Sequence, residues 1–327
     1  GDTDNWEWPR HTADFSMFRV YADANGNPAE YSKDNVPLQP KHFLPVSIKG
    51  VEENDFAMIL GYPGRTNRWM PAGGIEQNVK FAYPAWVEGA KTGMDVMKRY
   101  MDKDETVKLE YASKYASTAN YWKNRQGMID ALTKAGTAKT KEKEEAKFNA
   151  WANKKANKAK YGKVITTIND YYAQTNLKTS HDNYLSQLIR TSAYGGVPAN
   201  IGNSLIAYYK ENEAKRKEIL PRLNGLIENV YGKFHAPLEK DVFAAQLNLY
   251  TSKGAAYGLP EGVARLKEEN KGDFTSYINN AVAKSIFATK ESVLAFMRDP
   301  KPENIVNDPL YVVSNELLVK MRARSAE

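Results

Sequence analysis

Polar and apolar positions along the chain fall into two regimes. As far as about Met70 the apolar residues alternate or gather in short runs: DFSMFRVY alternates from Asp14, PVSIKG is a brief apolar run, and DFAMILGYPG closes on a Gly-Tyr-Pro-Gly turn. These patterns predict β-strands. Alternation would place Asp14, Ser16, Phe18 and Val20 on one face and Phe15, Met17, Arg19 and Tyr21 on the other. From about Gly74 the period becomes helical. Val87, Ala90, Met94, Met97 and Met101 recur at steps of three and four, as do Val164, Ile165, Ile168, Tyr171 and Tyr172. A third stripe runs through Ile219, Leu220, Leu223, Leu226, Ile227, Val230, Tyr231 and Phe234. Asp308-Pro309 has the form of an N-cap followed by a first-turn proline, and predicts a last helix through Leu310, Val313, Leu317 and Met321. The fold class is therefore α+β, a β-part followed by a larger all-α part, with no fixed-period repeat in the helices.

At 327 residues the chain is long enough for about two domains, and 42% hydrophobic with 26% charged residues is ordinary for a globular protein. The longest apolar run, around Phe56 to Tyr62, is too short to span a bilayer, and the N-terminus has no signal-peptide pattern. The chain opens without methionine and in mid-motif, so it is expected to be a piece of something longer. With no cysteine it has no disulfide, thiolate metal site or cysteine nucleophile.

The net charge of +7 is regional: twelve Lys/Arg face four Asp/Glu between Lys123 and Lys163. That region is rich in Ala, Lys and Glu and lacks glycine between Gly136 and Gly162, which reads as a solvated helical face rather than a phosphate-binding surface. Its aromatics, Phe148, Trp151 and Tyr161, are expected to face a core.

The opening GDTDNWEWPRHTADFSMFRVYAD concentrates candidate chemistry: four aspartates, two tryptophans and a histidine. On a strand, His11 and Asp14 would point to opposite faces, so they make a poor dyad. His11, Asp14 and His42 lack a recognisable metal-ligand spacing. His42, His181 and His235 are isolated and read as surface or cap residues. Ser204, in I-G-N-S-L, sits in a helical context and is not read as a nucleophile.

DFSMFRV resembles the aspartate strand of chymotrypsin-like serine peptidases. Taken with G-D-T-D-N-W-E-W-P-R-H-T-x-D-F-S, with G-Y-P-G-R-T, and with S-T-A-N-Y-W-K-N at Ser117 to Asn124, the chain resembles the bacterial dipeptidyl-peptidase 7 and 11 family over essentially its full length. The resemblance implies part of a chymotrypsin-like antiparallel β-barrel over residues 1–72 and an inserted α-helical cap domain over 73–327. It implies that Asp14 is the triad aspartate, accepting the Nδ1 hydrogen bond of the catalytic histidine. Asn5 and Trp6, with Asn120 from the helical part, would bind the free N-terminal ammonium of an oligopeptide; an amide carbonyl beside an indole offers an acceptor and a π face. Fixing the amine fixes the register, so a dipeptide is released. The family's histidine would lie upstream of Gly1 and its serine beyond Glu327, which makes this chain by itself inert. No metal or organic cofactor, no nucleic acid and no membrane span are implied, but a homodimer is, at the periplasm or surface of a Gram-negative bacterium. The alternative is a non-catalytic peptide-binding or helical interaction module.

Overall fold

The computed structural model describes residues 5, 6, 9, 16–58, 60–62, 64 and 67–323. Its only strands among these are β1 (Tyr21–Ala22) and β2 (Val36–Pro37), which pair antiparallel with Tyr21 opposite Pro37. The described parts of the other sequence-predicted strands, 16–20, 45–50 and 55–64, are irregular, and Asp14 and Phe15 lie outside the described residues. Among the described residues no β-barrel is formed. The physical reason is partnership: a strand is stable only when its N–H and C=O groups and its apolar face are covered by neighbours. Here Phe43, Val46, Ile48, Phe56 and Leu60 are all exposed, Ile48 at 99%.

From Ala72 the chain is helical. α1 (Ala72–Gln77) passes through a π-helical turn at Asn78–Ala82 into α2 (Tyr83–Met101). α3 (Glu105–Lys134) is the longest helix and lies along α2. Its start is fixed by Asp104, whose Oδ1 accepts from the backbone N–H of Thr106 and Val107 at 2.8 and 3.2 Å. Its end is fixed by Gly136, whose φ of +59° suits glycine. α4 (Thr137–Ala152), α5 (Lys155–Tyr161) and α6 (Val164–Gln174) follow. α7 (Asn176–Thr191) then crosses α2. Two glycines of α2 permit that approach: a Cβ on Gly89 would lie 2.6 Å from Gln187 Cβ, and one on Gly93 would lie 2.8 Å from Thr191 Cβ.

The rest is α8 (Val197–Lys210), α9 (Glu213–Tyr231), α10 (Ala236–Lys253), α11 (Glu261–Glu269), α12 (Thr275–Lys284), α13 (Lys290–Arg298) and α14 (Pro309–Ala323). One core gathers α7, α10, α12 and α14 around Leu185, Leu188, Phe243, Leu247, Phe274 and Leu317. A second lies between α8 and α9 at Ile201, Leu205, Leu223 and Ile227, and a third joins α2, α3 and α10 through Met97, Val107 and Val242. Asp308 caps α14 as its position before Pro309 predicts: its Oδ1 accepts from Leu310 and Tyr311 N–H, both at 3.0 Å. The same carboxylate also accepts from Ser285 Oγ and Ile286 N–H, which ties the end of α12 to the start of α14.

Two expectations are corrected here. His181 is a core residue, 1% exposed, with Nε2 at 2.9 Å from the Tyr250 hydroxyl and Nδ1 at 3.1 Å from Asp182 Oδ1. It tolerates burial because both ring nitrogens have partners. Phe148, Trp151 and Tyr161 do not face a main core; they stack on one another at 5.6 and 5.2 Å, with Trp151 nearly half exposed. The apolar positions of α6 do share one sector, of which only one edge is covered: Ile165 and Tyr172 are partly buried while Val164, Ile168 and Tyr171 stay open. His42 is exposed, and His235 caps α10 by accepting from Leu238 N–H.

Candidate functional site

Asn120 projects from the middle of α3, a stiff element held by the burial of Val107, Tyr111 and Ala119 along its other face. Its side chain meets the N-terminal segment. Asn120 Oδ1 accepts from Asn5 Nδ2 at 2.9 Å and from Trp6 Nε1 at 3.0 Å. The structure thus brings three of the four sequence-selected residues to one point across more than a hundred residues of chain. An amide oxygen has two lone pairs, and both are engaged here, so the three side chains hold one another before any ligand arrives. Donating Nδ2 to Asn120 also fixes which way the Asn5 amide faces and leaves its carbonyl oxygen as the group it can present.

Trp6 reaches this position at a cost. Its φ of +64° lies in the left-handed region, where a bulky residue is uncommon. Such a conformation costs on the order of 1–3 kcal/mol and persists only where surrounding contacts impose it. Trp6 remains 54% exposed.

Beside Asn120 the surface carries an alternating series of rings and guanidinium groups. Tyr121 meets Trp86 edge to face at 6.3 Å. The Arg190 guanidinium lies 5.5 Å from the Trp86 ring and 5.9 Å from that of Tyr121; Arg125 lies 5.7 Å from Trp86 and 5.0 Å from Tyr83. Arg125 also donates to Asn124 Oδ1 at 2.8 Å, one helical turn beyond Asn120. The series joins α2, α3 and α7 and holds the stretch of α3 that carries Asn120. A cleft of about 180 Å³ opens next to it, lined in part by Trp86, Ser117, Tyr121 and Arg190. Deeper in, Glu239, 2% exposed, accepts from Tyr111 Oη at 3.0 Å, Lys114 Nζ at 2.8 Å and Ala193 N–H at 2.7 Å. That one carboxylate binds α10 to α3 and to the turn after α7.

Sequence reasoning passed over Trp86, Arg190 and Glu239. They come together from separate helices, and no local spacing signals it. Asp14 and His11 lie outside the described residues. Ser204 is on α8, its hydroxyl donating to Asn200 O at 2.8 Å within the helix. Among the described residues no three His, Asp or Glu side chains gather as a metal site would require.

The chain is 47% identical over 321 residues to a dipeptidyl-peptidase 7 of Capnocytophaga gingivalis, covering 98% of this chain and 45% of that protein. It is 35% identical to an Asp/Glu-specific dipeptidyl-peptidase of the same organism, covering 94% of this chain and 43% of the other. Among solved structures, Porphyromonas endodontalis DPP11 in complex with the dipeptide Arg-Glu superposes with a TM-score of 0.81 at 32% identity, over 99% of this chain and 46% of that one. The chain therefore spans less than half the length of the relatives it matches. The peptidase S46 family model matches residues 1–327, and the chain belongs to that family.

Proposed function

We propose that the chain is part of a serine-type dipeptidyl-peptidase that releases dipeptides from the free N-terminus of oligopeptides. The observation that carries this reading is the convergence of Asn5 and Trp6 on Asn120 Oδ1. An α-ammonium brings three N–H donors and one charge. It competes for the Asn120 oxygen, takes the Asn5 carbonyl oxygen as a second acceptor, and rests its charge against the Trp6 ring. With the amine held, the carbonyl presented to the nucleophile is the second along the chain, and cleavage there releases two residues.

In this reading residues 1–72 contribute to a chymotrypsin-like barrel and residues 73–327 form the cap over the cleft. Asp14 orients the catalytic histidine and stabilises the imidazolium formed as the serine attacks. The extended, exposed apolar residues between Phe43 and Leu60 are the side chains that barrel neighbours would cover. Hydrolysis by this route needs no metal or organic cofactor. The protein acts as a homodimer in the periplasm or at the cell surface. Relatives named for Asp/Glu specificity and one solved with Arg-Glu frame the substrate class as dipeptidyl units.

The test is hydrolysis by the intact protein of paired dipeptidyl reporter substrates that differ only in N-terminal acetylation. The free-amine member is expected to be turned over and its acetylated partner to be a poor substrate. Equal turnover of both would remove the ammonium anchor from the reading, and an inert intact protein would leave a binding module instead.

A further inference from the structure

Between Glu145 and Asp170 the chain carries six lysines and no acidic residue. Several surface lysines elsewhere are paired along their own helices: Lys80 with Glu76, Lys91 with Asp95, Lys98 with Asp102, and Lys141 with Glu144, all within 2.8 Å. Among the described residues Lys154, Lys155, Lys158, Lys160 and Lys163 have no such ion pair, and all five are exposed. α5 buries none of its residues. This end of the helical part is therefore a concentrated positive charge with nothing of its own to neutralise it.

An apolar stripe lies directly beside the lysines. Val164, Ile168 and Tyr171 stand at i, i+4 and i+7 on α6, so they share one face. They are 38%, 39% and 63% exposed. The adjoining face of the helix packs against α1, where Gly73 N–H donates to Asn169 Oδ1 at 3.2 Å and Gly74 lies against the Tyr172 ring. The open stripe is thus surplus to the core. Lys158, Lys160, Lys163, Val164, Thr167 and Ile168 line a shared groove of about 540 Å³.

We propose that this α5–α6 face docks the protein on an anionic phospholipid membrane. The occupant must be anionic and apolar at the same level, and a lipid surface presents phosphates immediately above an acyl boundary. Lysine stems are long enough to keep their ammonium groups at the phosphates while Val164, Ile168 and Tyr171 settle deeper. A nucleic acid offers phosphates but no apolar layer, and the nearby rings are already stacked on one another. A second copy of the chain docked through the same patch would set lysines against lysines. The inference is independent of the peptidase reading.

The test is co-sedimentation of the intact protein with vesicles of phosphatidylcholine alone and of phosphatidylcholine mixed equally with phosphatidylglycerol. Binding is expected only to the anionic vesicles, and its loss as salt shortens the Debye length to a few ångströms. Lys158→Glu, Lys160→Glu and Lys163→Glu together should weaken it by about a hundredfold or more, since each lysine near such a surface is worth about a factor of five. Ile168→Ser should weaken it severalfold while leaving the salt dependence intact. All four side chains are exposed, so an unchanged circular dichroism spectrum should accompany both variants. Vesicle binding that the triple variant retains would overturn the proposal. So would the absence of vesicle binding, whether or not the wild type binds an oligonucleotide or an acidic polypeptide.

Discussion

Trp6 donates its indole N–H to Asn120 Oδ1 at 3.0 Å, joining residues 114 apart in sequence. The same oxygen receives Asn5, so removing it unties both donors at once. Under the proposed function, Asn120→Ala in the intact protein is expected to lower kcat/KM for free-amine substrates by roughly ten- to a hundredfold, the size of a lost charge-assisted hydrogen bond of about 1.5–3 kcal/mol. It should add little to the already poor turnover of acetylated peptides. Asn120→Asp keeps an acceptor for Asn5 and Trp6 and adds negative charge toward an ammonium, so it should retain more activity than the alanine. If alanine and wild type act alike on both substrate types, Asn120 is a surface residue.

Under the proposed function Asp14 is the triad aspartate, a role it takes from its motif alone. In the intact protein Asp14→Ala should reduce turnover by about three to four orders of magnitude, because the histidine loses both its orientation and its counter-charge. Substrate affinity should change little, since Asp14 is not assigned to the amine. Near-normal turnover would make Asp14 a turn residue that bonds its own backbone.

The helical part was legible in the sequence because a helix satisfies its own backbone and only one face must agree with its surroundings. Ala90, Met94 and Met97 are buried where their spacing places them, and Asp308 caps where the following proline predicts. The strands were legible only as a pattern, since a strand's hydrogen bonds belong to its neighbours, and the apolar residues from Phe43 to Leu60 have none among the described residues. Periodicity on α6 gave the correct helix but not how little of its apolar sector the rest of the fold covers. His181 was misread because nothing near it in sequence announces Tyr250, 69 residues away, as its partner. Asn120 was chosen only through the family resemblance: its own neighbours describe an ordinary helix surface, and its contacts come from the far end of the chain.

Two glycines on neighbouring helices should respond in opposite ways to the same change. On α3, a Cβ at Gly127 would meet nothing within 4 Å, so Gly127→Ala should stabilise by up to about 1 kcal/mol through helix propensity. On α2, a Cβ at Gly89 would lie 2.6 Å from Gln187 Cβ and 2.8 Å from its Cγ, atoms that cannot move without moving α7. Overpacking costs about 1–3 kcal/mol, which exceeds the propensity gain, so Gly89→Ala should be destabilising. Thermal melts of the two variants should shift to opposite sides of the wild type. A rise in both would mean that α2 and α7 are less closely packed than this.

Glu239 accepts three donors from three separate parts of the fold while almost fully buried. Glu239→Ala leaves the Tyr111 hydroxyl, the Lys114 ammonium and the Ala193 N–H without their acceptor. Breaking a buried pair costs about 3–5 kcal/mol, and Lys114, whose side chain is 31% exposed, can regain water, which sets the expectation near the lower end. Glu239→Gln keeps one acceptor oxygen and should fall between alanine and wild type in urea unfolding. A shift within about 0.5 kcal/mol for alanine would show that the carboxylate does not tie these helices together.

Buried phenols give the fold a defined alkaline limit. Tyr277 is pushed up to about 12, first by burial and then by the charges of Asp308, Glu269 and Glu316. Burial likewise leads in raising Tyr111, Tyr194, Tyr231 and Tyr250. In the unfolded chain these groups ionise near about pH 10, while in the folded chain they keep their protons. Above that pH the folded state binds more protons than the unfolded state, so stability falls as pH rises. The contribution is fully present below about pH 10 and is lost progressively through about pH 12, at up to about 1.4 kcal/mol per pH unit for each phenol held neutral. Ultraviolet absorbance and far-ultraviolet circular dichroism followed together should show these tyrosines ionising only as helix is lost, in one cooperative step. Tyr231→Phe removes the hydroxyl that donates to Phe287 O at 2.9 Å, at a cost of about 1 kcal/mol near neutral pH, yet it should make the alkaline decline shallower by one phenol. Tyrosine ionisation completed near pH 10 with the helical signal intact would show that these hydroxyls are open to water in the folded chain.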